Sequence, residues 1–169
     1  MTHVSANGWP VLEQPYTVLW QVPQATRHFR LAPGAPGFLL SHLALWFHET
    51  IEPLDVGTWD DWAWSPPRPI RGGTTVSNHC SGTAVDLNSQ LHPLGSRNTF
   101  RAESVRLIHR RLAHVYRGAI VWGGDWATRA DEMHFEIAAG RSSVMAAANR
   151  LRLSPRGRRI RRANPGRYP

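Results

Sequence analysis

Two stretches of the chain gather the residue types that bind metals and move protons. The first runs Ser77-Asn-His79-Cys80-Ser-Gly82-Thr-Ala-Val-Asp86-Leu-Asn88; the second is Trp122-Gly-Gly-Asp-Trp126 followed by Asp131-Glu-Met-His134-Phe-Glu136. From Met133 to Ile137, period-two alternation puts Met133, Phe135 and Ile137 on one face of a strand and His134 with Glu136 on the other. Thr83 to Leu87 reads the same way, with Val85 and Leu87 inward and Asp86 on the cleft side, and the small residues Cys80-Ser81-Gly82 let His79 fold back beside Asp86. One carboxylate and two imidazoles, Asp86 with His79 and His134, form the ligand set of a catalytic Zn2+ whose fourth position is open to water. Such an ion lowers the pKa of water and polarises a scissile carbonyl, while a carboxylate outside the ligand set moves the proton. Asp131 is placed for that work. Arg68, ahead of Arg71, is the candidate to stabilise an oxyanion or hold a substrate carboxylate in two parallel bonds.

The elements that must position these residues follow from periodicity and breakers. Phe38, Leu39, Leu43, Leu45, Trp46, Phe47 and Ile51 recur near helical spacing until Pro53, which predicts a core helix over 38–51 carrying His42 and His48 as surface residues. Val105, Ile108, Leu112 and Val115 make one stripe of a helix over 99–116, closed by Gly118, with His109 and His114 solvated on it. Strands are expected over 16–22, 28–31 and 119–122, and a last helix over 142–153. The fold class is therefore α+β, a small antiparallel sheet flanked by helices with the zinc site on the open side of the sheet. Three tryptophans, at 59, 62 and 64, interleave with Asp60 and Asp61. They suit either core packing or the wall of a cleft for sugar or peptide. Asp125 reads as a turn former, Glu132 as a solvated acid, and Glu136 as a partner of His134 or a surface acid.

Turn and breaker residues crowd residues 1–36, which are expected to form an extended arm on the domain, with residues 37–153 as the body that carries both motif stretches. From Arg150 onward there are eight arginines and no acid, so the net charge of +8 belongs to the C-terminal end and the body is formally neutral. Residues 154–169 have little to bury and are expected to be a flexible or partner-bound tail. The neutral body speaks against nucleic-acid binding as the function. The single cysteine, Cys80, excludes an internal disulfide; a cysteine-nucleophile reading with His134 as base leaves Asp86 and Asp131 without a role. Neither a signal peptide nor an apolar run long enough to span a membrane is readable.

The pattern Ser77-x-His79-x-x-Gly82-x-Ala84-x-Asp86, then Trp122-Gly-Gly-Asp-Trp126 and Asp131-x-x-His134, resembles the zinc D-alanyl-D-alanine carboxypeptidase and L-alanyl-D-glutamate endopeptidase family of the VanY and VanX type, over roughly residues 37–140. The resemblance implies that His79, Asp86 and His134 hold Zn2+, that Asp131 is the acid/base, and that Arg68 is the family's upstream arginine. Ser77, Arg71 and Trp126 are then candidates for substrate binding. The implied substrate is the stem peptide of bacterial peptidoglycan. Asp at the base position with Trp-Gly-Gly-Asp-Trp is similar to the endopeptidase branch, whereas His92-Pro93-Leu94-Gly95 is similar to the carboxypeptidases. The implied setting is a phage tail or an endolysin, located in the virion or in the host cytoplasm before release, with other tail proteins as possible partners of the arginine-rich end. The alternative is a virion or wall-binding protein that keeps the fold without activity; the presence of all four chemical residues counts against it.

Overall fold

The computed structural model describes residues 4–54, 59–67 and 74–168. Two strands, β1 (Val18–Gln21) and β2 (His28–Leu31), pair antiparallel from Val18 opposite Leu31 to Gln21 opposite His28. Trp20, Phe29 and Leu31 turn one face of this hairpin inward. The next element, α1 (Ala35–Thr50), begins with Pro36 in its first turn, where a missing N–H costs no hydrogen bond. Every residue from Ala35 to Phe47 is buried. A helix that is apolar all round belongs in the middle of a domain, and α1 lies there, touching the hairpin, the second sheet and both C-terminal helices.

The second sheet contains β3 (Ala84–Asp86), β4 (Ile120–Trp122) and β5 (His134–Ile137) in the order β3-β5-β4, antiparallel throughout. Val85, Phe135 and Trp122 are direct cross-strand partners and share the inward face, where Phe47 of α1 meets Phe135 edge-on at 6.0 Å. The opposite face carries Asp86 and His134, also direct partners. The alternation read from the sequence thus fixes which face is open. The one small sheet expected is divided in two, because the hairpin forms a sheet of its own.

The helix expected over 99–116 is α2 (Ala102–Arg111), which widens into a π-turn at Leu112–Tyr116. That last turn brings the Tyr116 hydroxyl to His42 Nδ1 at 2.8 Å. His42 is buried to 1 % exposure, so its expected surface position is corrected: Tyr116 and Ser154 satisfy the imidazole inside the protein.

Helix α3 (Arg141–Leu151) packs Val144, Ala147, Ala148 and Leu151 against α1. The stretch expected to be a flexible tail then forms α4 (Pro155–Ala163). Ser154 caps it by accepting from the Gly157 N–H at 3.0 Å. Ile160 and Asn164 are buried, Asn164 bonds both backbone groups of Gln21 on β1, and Tyr168 stacks on Phe38 at 4.8 Å. Arg156 and Arg159 both pair with Glu49 of α1, which offsets part of the arginine self-repulsion. No helix among the described residues is long and apolar enough to cross a membrane.

Candidate metal centre

His79 sits on a single 3-10 turn, Asn78–Ser81. Ser77 caps that turn by accepting the His79 N–H, and Gly82 closes it with φ 64°, a left-handed conformation that costs glycine little. Leaving the turn, the chain enters β3 and delivers Asp86 to the open face, opposite His134 of β5. On the far side of β5, the N–H of Asp131 bonds the Gly123 carbonyl at 2.9 Å. A Cβ at Gly123 would stand 2.6 Å from the Asp131 carbonyl oxygen and 3.2 Å from His134 Cβ, so only glycine lets these two residues approach.

His79 Nε2, His134 Nδ1 and Asp86 Oδ1 converge on one point. His79 Nε2 is 3.2 Å from His134 Nδ1 and 3.3 Å from Asp86 Oδ1, and His134 Nδ1 is 2.8 Å from Asp86 Oδ1. Each outward ring nitrogen fixes the tautomer. His79 Nδ1 lies 2.6 Å from the Ala63 carbonyl, which can only accept, so Nδ1 carries the hydrogen and Nε2 a lone pair. His134 Nε2 lies 2.9 Å from Glu136 Oε2, which leaves the Nδ1 lone pair facing inward. Three electron-pair donors aimed at one another suit a cation between them. Donor atoms around a tetrahedral zinc at about 2.0–2.1 Å are about 3.3 Å apart, close to the separations seen, so the three residues can hold a metal ion of that class.

Electrostatics point the same way. Burial opposes a charged His134, yet its hydrogen bonds to Asp86 and Glu136 prevail and raise its pKa to about 10. Burial also works against the Asp86 carboxylate, but His79 and His134 hold its pKa well below the usual carboxylate range. Glu136 is likewise kept ionised: burial raises its pKa, and the bonds from His134 and Asn78 more than reverse that.

Asp131 behaves differently. It is buried, its Oδ1 has no hydrogen-bond partner among the described residues, and its pKa is raised to about 6 by burial and by the Asp86 charge, against the pull of His134 and His79. A buried carboxyl with an unpartnered oxygen and a pKa this close to neutral suits proton transfer. Trp126 lies against His134, ring centres 5.2 Å apart, and is partly exposed. Arg68 and Arg71 lie outside the described residues. Cys80 is buried with its thiol toward the Pro66 carbonyl.

Several supports of the site had weak signals in the sequence or none. Glu132, expected in solvent, is buried and accepts from the N–H groups of Asn98 (2.7 Å) and Thr99 (2.9 Å) and from the Thr99 hydroxyl. It ties the loop before α2 to the entrance of β5. His92, stacked on Phe100 at 3.6 Å, bridges Thr99 (2.7 Å) and Glu52 (2.8 Å). Asn78 Nδ2 donates to Glu136 Oε2 at 2.7 Å, and Asn78 Oδ1 accepts from the Asn7 N–H at 2.9 Å, which links the N-terminal segment to the partner of His134. The shared face of His134 and Glu136 was the one readable hint. Ala63 acts through its carbonyl, which no residue pattern reveals.

A family model described as D-alanyl-D-alanine carboxypeptidase matches residues 71–137, which is less than half of the chain and includes both motif stretches. The match supports a peptidase of that kind. No curated protein and no solved structure matches the chain.

Proposed function

We propose that the chain is a zinc-dependent peptidase that hydrolyses a bond in the stem peptide of bacterial peptidoglycan. The observation that carries this reading is the convergence of three metal-binding lone pairs on the open face of the sheet beside the unpartnered, buried carboxyl of Asp131. Zinc supplies a Lewis acid that activates water and polarises the scissile carbonyl. His79, Asp86 and His134 hold the ion. Glu136 and the Ala63 carbonyl keep the two imidazoles in the tautomers that present lone pairs to it. Asp131, ionised above about pH 6, takes a proton from the attacking water and returns it to the leaving amine. Arg68, with Arg71 as the second candidate, binds the developing oxyanion or a substrate carboxylate. The resemblance also carries the proposed setting, a phage tail or a lysis enzyme acting on the wall.

The test is to measure zinc per chain and to identify by mass the new termini formed on purified peptidoglycan. One zinc and new termini are expected, with free D-alanine marking a carboxypeptidase and new N-terminal D-glutamate an endopeptidase. Asp131→Asn is expected to keep its zinc and lose about 10²–10⁴-fold in turnover, the usual span for a general acid/base. Absence of metal and of cleavage, with His134→Ala indistinguishable from the unmodified chain, would sink the reading. Loss of zinc in Asp131→Asn would make Asp131 a ligand instead.

A further inference from the structure

The ladder that positions the metal ligands extends one step beyond the sheet. Trp62 and Asp86 exchange both backbone hydrogen bonds, at 2.9 and 2.8 Å, and Asp86 in turn stands opposite His134. Directly opposed residues of an antiparallel ladder put their side chains on the same face, with Cβ atoms about 5 Å apart. The indole of Trp62 therefore stands on the metal face, immediately outside Asp86. Its segment is fixed by two carboxylates: Asp60 accepts from the Gln90 N–H at 2.9 Å, and Asp61 accepts from the Asn88 N–H at 2.9 Å while pairing with Arg27 at 2.7 Å.

Three tryptophans of the described residues are exposed, and two have partners. Trp59, 72 % exposed, lies under the Arg27 guanidinium at 4.3 Å; Trp126, 37 % exposed, lies against His134. Trp62 is 60 % exposed, and among the described residues neither a ring nor a guanidinium lies over it. A rigid apolar plane left in water, held in place by a ladder and set one strand from a metal cluster, has the properties of a ligand surface.

We propose that Trp62 is the platform for a sugar ring of the glycan strand, so that the preferred substrate is a stem peptide still attached to its sugars. This rests on the peptidoglycan reading above. The stem offers small and charged side chains, which gain little from an indole face. The rings of that polymer are its sugars, and the C–H face of a pyranose matches an indole in size and polarity.

The experiment compares kcat/KM for a free stem peptide and for the same peptide linked to its disaccharide, using the full chain loaded with zinc. The linked substrate is expected to be favoured by about tenfold or more, the size of one good aromatic contact. In Trp62→Ala that ratio falls to about one, and Trp62→Phe retains part of it; zinc content reports that each variant is folded. Equal kcat/KM for the two substrates, or an unchanged ratio in a zinc-loaded Trp62→Ala, overturns the proposal. If neither substrate is cut, the peptidase reading fails by itself, and titration with the disaccharide alone decides the platform. Binding that Trp62→Ala weakens about tenfold upholds it, and absence of binding or equal binding removes it.

Discussion

At the scale of single residues, Glu136 makes the most testable contribution. It accepts from His134 Nε2 and from Asn78 Nδ2 without contacting the point where the three lone pairs meet. Its effect on a metal is therefore indirect, through the tautomer and orientation of His134. Glu136→Gln keeps the shape but, through its amide, offers a weaker acceptor to the imidazole N–H. We expect zinc affinity to fall about 10- to 100-fold, the usual loss for such partners, measured by competition with a chelator of known affinity. Unchanged affinity would mean that strand geometry alone holds His134. How legible such residues are in the sequence depends on how they act. Asp86, His134 and Asp131 announce themselves by type and spacing, and strand alternation gives their direction. Glu132 did not, because its partners are backbone N–H groups of Asn98 and Thr99, more than thirty residues away.

Among the elements, α1 was readable because apolar residues at helical spacing end at Pro53. The burial of His42 on it was not readable, since its partner Tyr116 lies 74 residues on and is brought in by the π-turn after α2. The helix of α4 is hard to read in the sequence for a related reason. Its arginines dominate the composition, while the stripe that anchors it, Ile160, Asn164 and Tyr168, is one residue wide. His42 also carries a prediction. Burial, aided by the positive charge of Arg111, lowers its pKa from 6.5 to about 3. The unfolded chain thus binds the extra proton first as the solution is acidified. The stability from a neutral His42 is complete above about pH 6.5 and is lost as pH falls toward 3, on the order of several kcal/mol over that range. His42→Gln should flatten this acid limb in urea midpoints taken between pH 7 and 4. Parallel limbs in the two proteins would place the acid sensitivity elsewhere.

For the molecule as a whole, a metal would join parts that share little else. The ligands come from the turn at Asn78–Ser81, from β3 and from β5, and their orienting groups from Ala63 and Glu136. A ligand that binds the folded chain and not the unfolded one stabilises it by about 2.7 kcal/mol at one hundred times its Kd. For a chain of this size, chelation should then lower Tm by about 5–10 °C. The check is a pair of thermal scans with and without chelator, in which His134→Ala should show no difference between the two. A chelator effect that persists in His134→Ala would locate the metal at another site.

The thread from Asn7 through Asn78 to Glu136 also bears on the order in which the protein can be made. Asn7 donates to groups 71 and 130 positions further on, at Asn78 and Ile137, and β1 receives Asn164 from 143 positions away. During synthesis the N-terminal segment emerges first and waits for nearly every partner it will have. No nascent chain shorter than about residue 137 contains the groups that complete the site, so any metal loading on the ribosome would be a late event. Contacts this distant in sequence close slowly, which makes the first third of the chain the part most in need of protection while the rest is being translated.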